Sequence, residues 1–448
     1  MIHTIDYKNF IAGENPADNI PNRGFSPDSY DINLLKKPGV LYFNPAVTNR
    51  SGATLTGRLV AVCIDPLSTD LAYYVDNNGA FYSLNYDASI FTKKQTSTGY
   101  TYASAWSDIL GFKTEIFATS TGAVAKLTTG MAALVEDWWS GLNNNFRHPL
   151  ERVEDELFIA DNNVIYYWNG TSSGTAFTLP TQFPITSLRR HPNGRTLIAF
   201  ADDAGNSALG SGKGKVYYCD PVIRDWTREV VIDCPVEGSQ VIGGVIYVSY
   251  KEKFGFFDGS RLVSIKTRTD FGLHSHQITN LQNHILVCDF DKVRAYGDLG
   301  NGQAWWSLAK NRDSALRIDT IISYKNKKLL YSYAEGGFAG KLMEIDFDST
   351  GVNGVFYTNR INFDTEVHIS KIEILHDVSN SAGNTIFDLY YRDIDDTETL
   401  IENISYSSQA VNKTIINCDI KTDIFQLKLV PNTDDIGYKL IRIHYEPI

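Results

Sequence analysis

One phrase recurs seven times along this chain: a strand rich in Val, Ile, Leu and Tyr, a turn, then a second aromatic-rich strand. The copies start at Ala72 (AYYVDNNGAFYSLNY), Glu115 (EIFATSTGAVAKL), Glu156 (ELFIADNNVIYYWNG), Arg195 (RTLIAFADDAG, resuming at KVYYCD), Val245 (VIYVSYKEKFGFFDG), His284 (HILVCDFDKVRAYGD) and Lys328 (KLLYSYAEGGFAGKLMEID). The starts are 43, 41, 39, 50, 39 and 44 residues apart. Self-similarity at a period of roughly 40–50 residues marks propellers and solenoids. Each unit is all strand, which predicts an all-β, seven-bladed β-propeller with one copy per blade. A propeller hosts many unrelated functions, so the repeat alone names none.

The turns within the phrases agree with hairpins. Asp76-Asn77-Asn78-Gly79, Ser120-Thr121-Gly122, Asp161-Asn162-Asn163 and Glu335-Gly336-Gly337 supply residues that tolerate positive φ between paired strands. Less regular segments lie between phrases, at 185–189, 229–233 and 260–266, and these predict the remaining strands of four-stranded blades. The longest step holds ALGSGKG, a polar loop. The best helical candidate is GMAALVEDWW at 130–139, whose Trp138-Trp139 reads equally well as strand.

Before the repeat, residues 1–50 are punctuated by Asn15-Pro16, Ile20-Pro21, Ser26-Pro27 and Pro38-Gly39, which predicts an extended N-terminal arm lying on the propeller or on a neighbouring copy. Strands are expected at 40–44 and 58–64. The propeller is expected over 51–360. Beyond it, ISKIEIL, TIFDLYYR, TLIENISY, TIINCD, IFQLKLV and YKLIRIHY alternate strongly between Ser, Asn and Asp turns, which predicts a β-sandwich module over 361–448. Either the strands at 40–64 or the C-terminal module completes the last blade.

Bulk properties bound the partners. The formal charge is −11, from 41 basic and 52 acidic residues, which argues against a duplex-DNA reader built on clustered Lys and Arg. Cys63, Cys219, Cys234, Cys288 and Cys418 are scattered, odd in number and free of CxxC spacing, which predicts reduced, largely buried thiols. The opening MIHTIDYKNFIAGENP lacks the basic and apolar regions of a signal peptide, and no apolar run approaches the length of a membrane span. The sequons at Asn49, Asn169, Asn403 and Asn412 are then chance matches.

Each motif that carries chemistry has a plainer explanation. Gly170-Thr171-Ser172-Ser173-Gly174 matches G-x-S-x-G, but TAFTLPTQFP follows it where a nucleophile elbow needs a helix. Gly205–Ser211 starts like a phosphate loop and lacks the Lys-Ser/Thr pair. His274 and His276 have no third ligand at a known spacing, and Asp270 and Asp289 do not supply one. Asp346-Phe347-Asp348-Ser349-Thr350-Gly351 opens like a calcium loop but ends at Tyr357, not Glu. No Asp-box of glycosidase propellers occurs. In Trp138-Trp139 and Trp305-Trp306, one ring of each pair is expected in the core and the other in a seam between blades. No catalytic, cofactor-binding or metal-binding residue is assigned, and no enzyme activity is expected.

The arm carries a family resemblance. It reads Asn15-Pro16-Ala17-Asp18-Asn19-Ile20-Pro21, Gly24-Phe25-Ser26-Pro27, Tyr30-Asp31-Ile32-Asn33-Leu34 and Lys37-Pro38-Gly39-Val40-Leu41, with Lys37 where Arg is usual. Tyr357-Thr358-Asn359-Arg360-Ile361-Asn362-Phe363 precedes the C-terminal module. This layout resembles the tail nozzle or tail-hub proteins of short-tailed phages, the packaged-DNA stabilisation proteins. The resemblance implies a structural virion protein assembled in the bacterial cytoplasm. It further implies a homo-oligomeric ring, commonly of six copies, beneath the portal and adaptor proteins. Genome DNA would pass through the ring lumen without sequence-specific binding, with no membrane contact, and be retained until ejection. An acidic lumen would repel phosphate and let DNA slide. The alternatives from other classes are a carbohydrate-binding or glycan-cleaving propeller and a host-surface adhesin at the tail tip.

Overall fold

The computed structural model describes residues 2–8, 10, 26, 29–37, 40–45, 47–51, 55, 57–88, 90–102, 107–128, 132–180, 184–202, 212–251, 253–267, 275–299, 303–311, 317–335, 339–349, 354–377, 385–393, 395–406, 411–432 and 437–448. Seven four-stranded antiparallel sheets follow one another as blades 1 to 7, spanning 59–96, 109–140, 150–178, 185–232, 238–267, 278–310 and 318–346. The recurring phrase is the second and third strand of every blade. In blade 1 these are Leu71–Asp76 and Ala80–Asn85.

Burial explains why these two strands stand out in the sequence. Second strands are covered on both faces by neighbouring blades, so LAYYVD, ELFIAD and LIAFAD are almost wholly buried and read as continuous apolar runs. Outer strands such as Ile90–Thr96 (IFTKKQT) and Asp225–Ile232 (DWTREVVI) are largely exposed and carry no such pattern. The segments expected at 185–189, 229–233 and 260–266 fall on or beside the strands Ile185–Arg190, Asp225–Ile232 and Leu262–Thr267.

Closure comes from the arm. Val47–Asn49 pairs with Ala339–Asp346 and supplies the fourth, outermost strand of blade 7, while Leu59–Ile64 is the innermost strand of blade 1. A propeller sealed this way leaves no long open edge at the junction of its first and last blades. Arg50 and Lys328 both reach the buried carboxylate of Glu344 and fix that junction.

The described part of the helical candidate at 130–139 holds a strand instead. Leu134–Ser140 pairs with Ala123–Thr128, because the outer-edge position of blade 2 overrides local helix propensity. Its register shifts between Val135 and Trp139. That irregularity breaks strict alternation, so Trp138 and Trp139 are both half-buried in the seam with blade 3. Trp305 and Trp306 behave as expected: Trp306 is fully buried, and Trp305 packs on Phe254 of blade 5.

The C-terminal module differs from the expected sandwich of short strands. Among the described residues it is one hydrogen-bonded, seven-stranded sheet. Its path runs His3–Lys8, Gly437–Pro447, Ile361–Asp377, Lys413–Pro431, Thr385–Arg392 and Glu398–Tyr406, with Phe356–Tyr357 also on Lys413–Pro431. TIINCD and IFQLKLV are two halves of a single 19-residue strand. Thr422, whose hydroxyl accepts from the Ile424 amide at 3.1 Å, marks the irregularity between them. The arm is thus divided: His3–Lys8 belongs to this sheet, and Val47–Asn49 to the propeller.

Residues 29–37 and 40–45 bridge the two bodies. Ile32 N–H donates to Ser307 O, and Asp31 accepts from Lys310 N–H, on the outer strand of blade 6. Leu41 pairs with Tyr438 of the C-terminal sheet. Asp377, its side chain 1% exposed, accepts from Lys37 at 2.5 Å and Tyr42 at 3.1 Å and faces Lys439 at 3.2 Å. One apolar core consequently runs through blades 6 and 7, the arm and the C-terminal sheet. The arm motif at residues 15–25 lies outside the described residues.

Candidate functional site

The first strand of every blade lies innermost, and consecutive inner strands pack side by side into a ring around the propeller axis. Two overlapping cavities of about 590 and 410 Å³ occupy this axis, sharing Cys63, Leu110, Glu151, Arg189 and Gln240 in their walls. The axis is the candidate functional site.

Charged side chains brace the ring from within. Asp108, just before blade 2, faces His276 Nε2 at 2.8 Å and accepts from the Leu150 amide of blade 3 at 3.0 Å. His276 reaches Asp108 from the start of blade 6. Its Nδ1 accepts from the Val62 amide at 3.4 Å, which holds the ring with Nε2 towards Asp108. Burial pushes the Asp108 carboxyl up, but the His276 hydrogen bond and the nearby positive charges outweigh it and hold it below the ordinary range.

A second brace joins blades 3, 4 and 5. Arg189 donates to Ser239 O at 2.7 Å and to Leu188 O, and its guanidinium lies 3.9 Å from Glu151. Burial outweighs Arg189 and pushes the Glu151 carboxyl up. Ser187 and Ser239 share a hydroxyl–hydroxyl hydrogen bond of 2.6 Å. Nearer the opposite end, Arg147 of the loop before blade 3 donates to Glu237 O before blade 5. Arg58 of blade 1 lies 3.4 Å from Asp319 of blade 7, and burial pushes that carboxyl up to about 7. Together these contacts tie all seven blades across the axis.

The chemistry of this arrangement is restraint and recognition. Both ring nitrogens of His276 are engaged, and the Ser187 and Ser239 hydroxyls face each other, so neither forms a nucleophile–base pair. Among the described residues no three His, Cys, Asp or Glu side chains are disposed to hold a metal ion. Burial raises the thiols of Cys219 to about 12 and of Cys234 and Cys418 to about 11, which keeps them protonated and unreactive at neutral pH.

The motifs singled out in the sequence fall elsewhere. Gly170–Gly174 is the turn into Ser173–Thr178, where Asn169 Oδ1 accepts from the Thr171 and Ser172 amides. Asp346–Ser349 is a turn after blade 7, with Asp346 accepting from the Asp348 amide at 3.1 Å. Asp289 pairs with Arg294 inside blade 6. Residues 205–211, Asp270 and His274 lie outside the described residues. Among the described residues of these motifs only His276 reaches the axis, where it meets Asp108, 168 positions away. Asp108, Arg147, Glu151 and Arg189 follow no motif spacing. Glu151 and Arg189 sit in the short inner strands LERV and ITSLRR, whose mixed composition marks neither as axial.

Fold and axis together define a seven-bladed β-propeller with a braced, polar axial channel. No family model and no curated protein matches the chain. Among solved structures it is similar to one described as "YCF48 bound to D1 peptide". That likeness has a TM-score of 0.46 and 13% identity, and covers 68% of this chain and 98% of that one. No helix among the described residues is long and apolar enough to cross a membrane.

Proposed function

We propose that this chain is a structural protein of a phage tail, one copy of a nozzle or hub ring that forms part of the DNA channel. The observation that carries the reading is the division of the propeller's outer edges. The arm and the C-terminal sheet weld one flank into a single body around blades 6 and 7. Blade 4 keeps an exposed apolar set, Val222, Ile223, Trp226 and Val231, that suits contact with another subunit. A rigid body with one bare apolar flank is suited to ring assembly through head-to-tail contacts. The order of arm, propeller and module supports the same reading through the resemblance in residues 30–41 and 357–363. An axis crossed by braces leaves DNA to a lumen between copies, not within one propeller.

Mass spectrometry of purified virions tests this. The expected result is the chain in intact particles at a ring's worth of copies, with ring-shaped oligomers of the purified protein in negative-stain images. Its absence from intact particles overturns the proposal.

A further inference from the structure

We propose that one mouth of the axial channel, where the inner strands of blades 3 and 4 end, binds a small organic polyanion bearing carboxylate or phosphate groups. The mouth is the cavity of about 590 Å³, a size typical of small-molecule sites. Its charged lining is Asp65, Glu151, Arg152, Arg189, Arg190 and His191.

The acids there are already engaged. Asp65 accepts from the Leu67 amide at 2.7 Å, the Ser68 amide at 3.2 Å and the Tyr73 hydroxyl at 2.6 Å. Glu151 faces Arg189 at 3.9 Å and accepts from the Arg152 amide at 2.8 Å. The cations are in surplus. Among the described residues the Arg152 and Arg190 side chains form no ion pair, and both are exposed at the rim. His191 Nδ1 accepts from the Asn193 amide at 3.1 Å, which leaves its Nε2–H as a further donor. Three arginines, one on the floor and two at the rim, outnumber the two acids of this lining in a chain of net charge −11.

Access and geometry agree with that charge. Gly244 lines the rim beside Gly243, at φ of 79° and 56°, and a side chain at either would meet nothing within 4 Å, so this side stands open. Guanidinium forks match the paired oxygens of carboxylate and phosphate bidentately, and a recessed site strengthens each contact. Arg189 forms a fixed floor through its bonds to Ser239 O and Leu188 O. The outer arginines supply the adjustable contacts. The site stands independently of any role in a virion.

The test is isothermal titration of the purified full chain with citrate, and separately with inorganic phosphate, at low ionic strength. The comparison is an R152A/R190A variant checked for an unchanged thermal melt. The expected result is saturable one-to-one binding that weakens at least about tenfold in the variant. Absence of saturable binding by the wild type, or equal affinity in the variant, overturns the proposal. Heat reproduced by chloride at matched ionic strength does so too.

Discussion

Blades 4 and 6 share one four-stranded plan, yet their outermost strands meet opposite surroundings. In blade 6, Gln303–Lys310 is overlaid by Asp31, Ile32 and Asn44 of the arm, and Trp306 is 0% exposed. In blade 4, Asp225–Ile232 is bare, Trp226 is 37% exposed and Val222 on the adjoining turn is 84% exposed. The same architectural position is core in one blade and surface in the other. What decides it is a segment remote in sequence, not the blade itself.

The largest expected effect is at the covered edge. Trp306→Ala removes a fully buried indole and is expected to destabilise the chain by about 3–5 kcal/mol, read by chemical denaturation. Next is the clasp that holds the cover in place. Asp377→Ala leaves Lys37 and Lys439 without their shared carboxylate, but both lysines are partly exposed and rehydrate. A loss of about 2 kcal/mol is expected, with faster proteolysis of the arm.

Acidity separates the C-terminal sheet from the propeller axis. Burial depresses His376 to about 4, so the fold favours its neutral form. Its contribution is full above the unfolded value near 6.5 and is lost as pH falls towards 4. His376→Gln is expected to flatten that acid limb by about 1–2 kcal/mol. Asp319 runs the other way. Its carboxyl is raised to about 7, so its contribution is full below an unfolded value near 4 and is lost as pH rises towards 7. Asp319→Asn is expected to raise stability at pH 8 by about 1 kcal/mol, since the lost Arg58 pairing offsets part of the gain. If each variant shifts a single unfolding transition shared by both regions, the two regions melt as one unit. The smallest effect belongs to the bare edge, where Trp226→Ala is expected to cost under about 1 kcal/mol in the isolated chain. A much larger loss would mean that this edge is covered in solution.

The sequence revealed the parts of the fold that neighbouring blades bury on both faces. ELFIAD and LIAFAD announce themselves because burial demands apolar residues at every position, and seven such runs count the blades. The closing strand Val47–Asn49 left almost no signal, being three half-exposed or exposed polar and β-branched residues. Merged strands were equally hidden. Ile420-Lys421-Thr422-Asp423 reads as a polar break, yet Ile420, Lys421 and Thr422 pair with Ile369, His368 and Val367 and carry Lys413–Pro431 through it. The axial braces were out of reach for a related reason. Asp108 and His276 meet only because inner strands of distant blades converge on one axis, so no local spacing encodes them.

The pairing of His3–Lys8 with Gly437–Pro447 has a consequence for biosynthesis. Asp6 and Arg442, which clamp these strands through two hydrogen bonds of 2.6 and 2.7 Å, are 436 positions apart. During translation His3–Lys8 must therefore wait for this partner while every blade emerges. Such long-range pairings form slowly and leave strand edges open meanwhile. The finished body is sealed by segments made before and after the whole propeller, and a ribosome stalled before Gly437 would release a propeller with that seam undone.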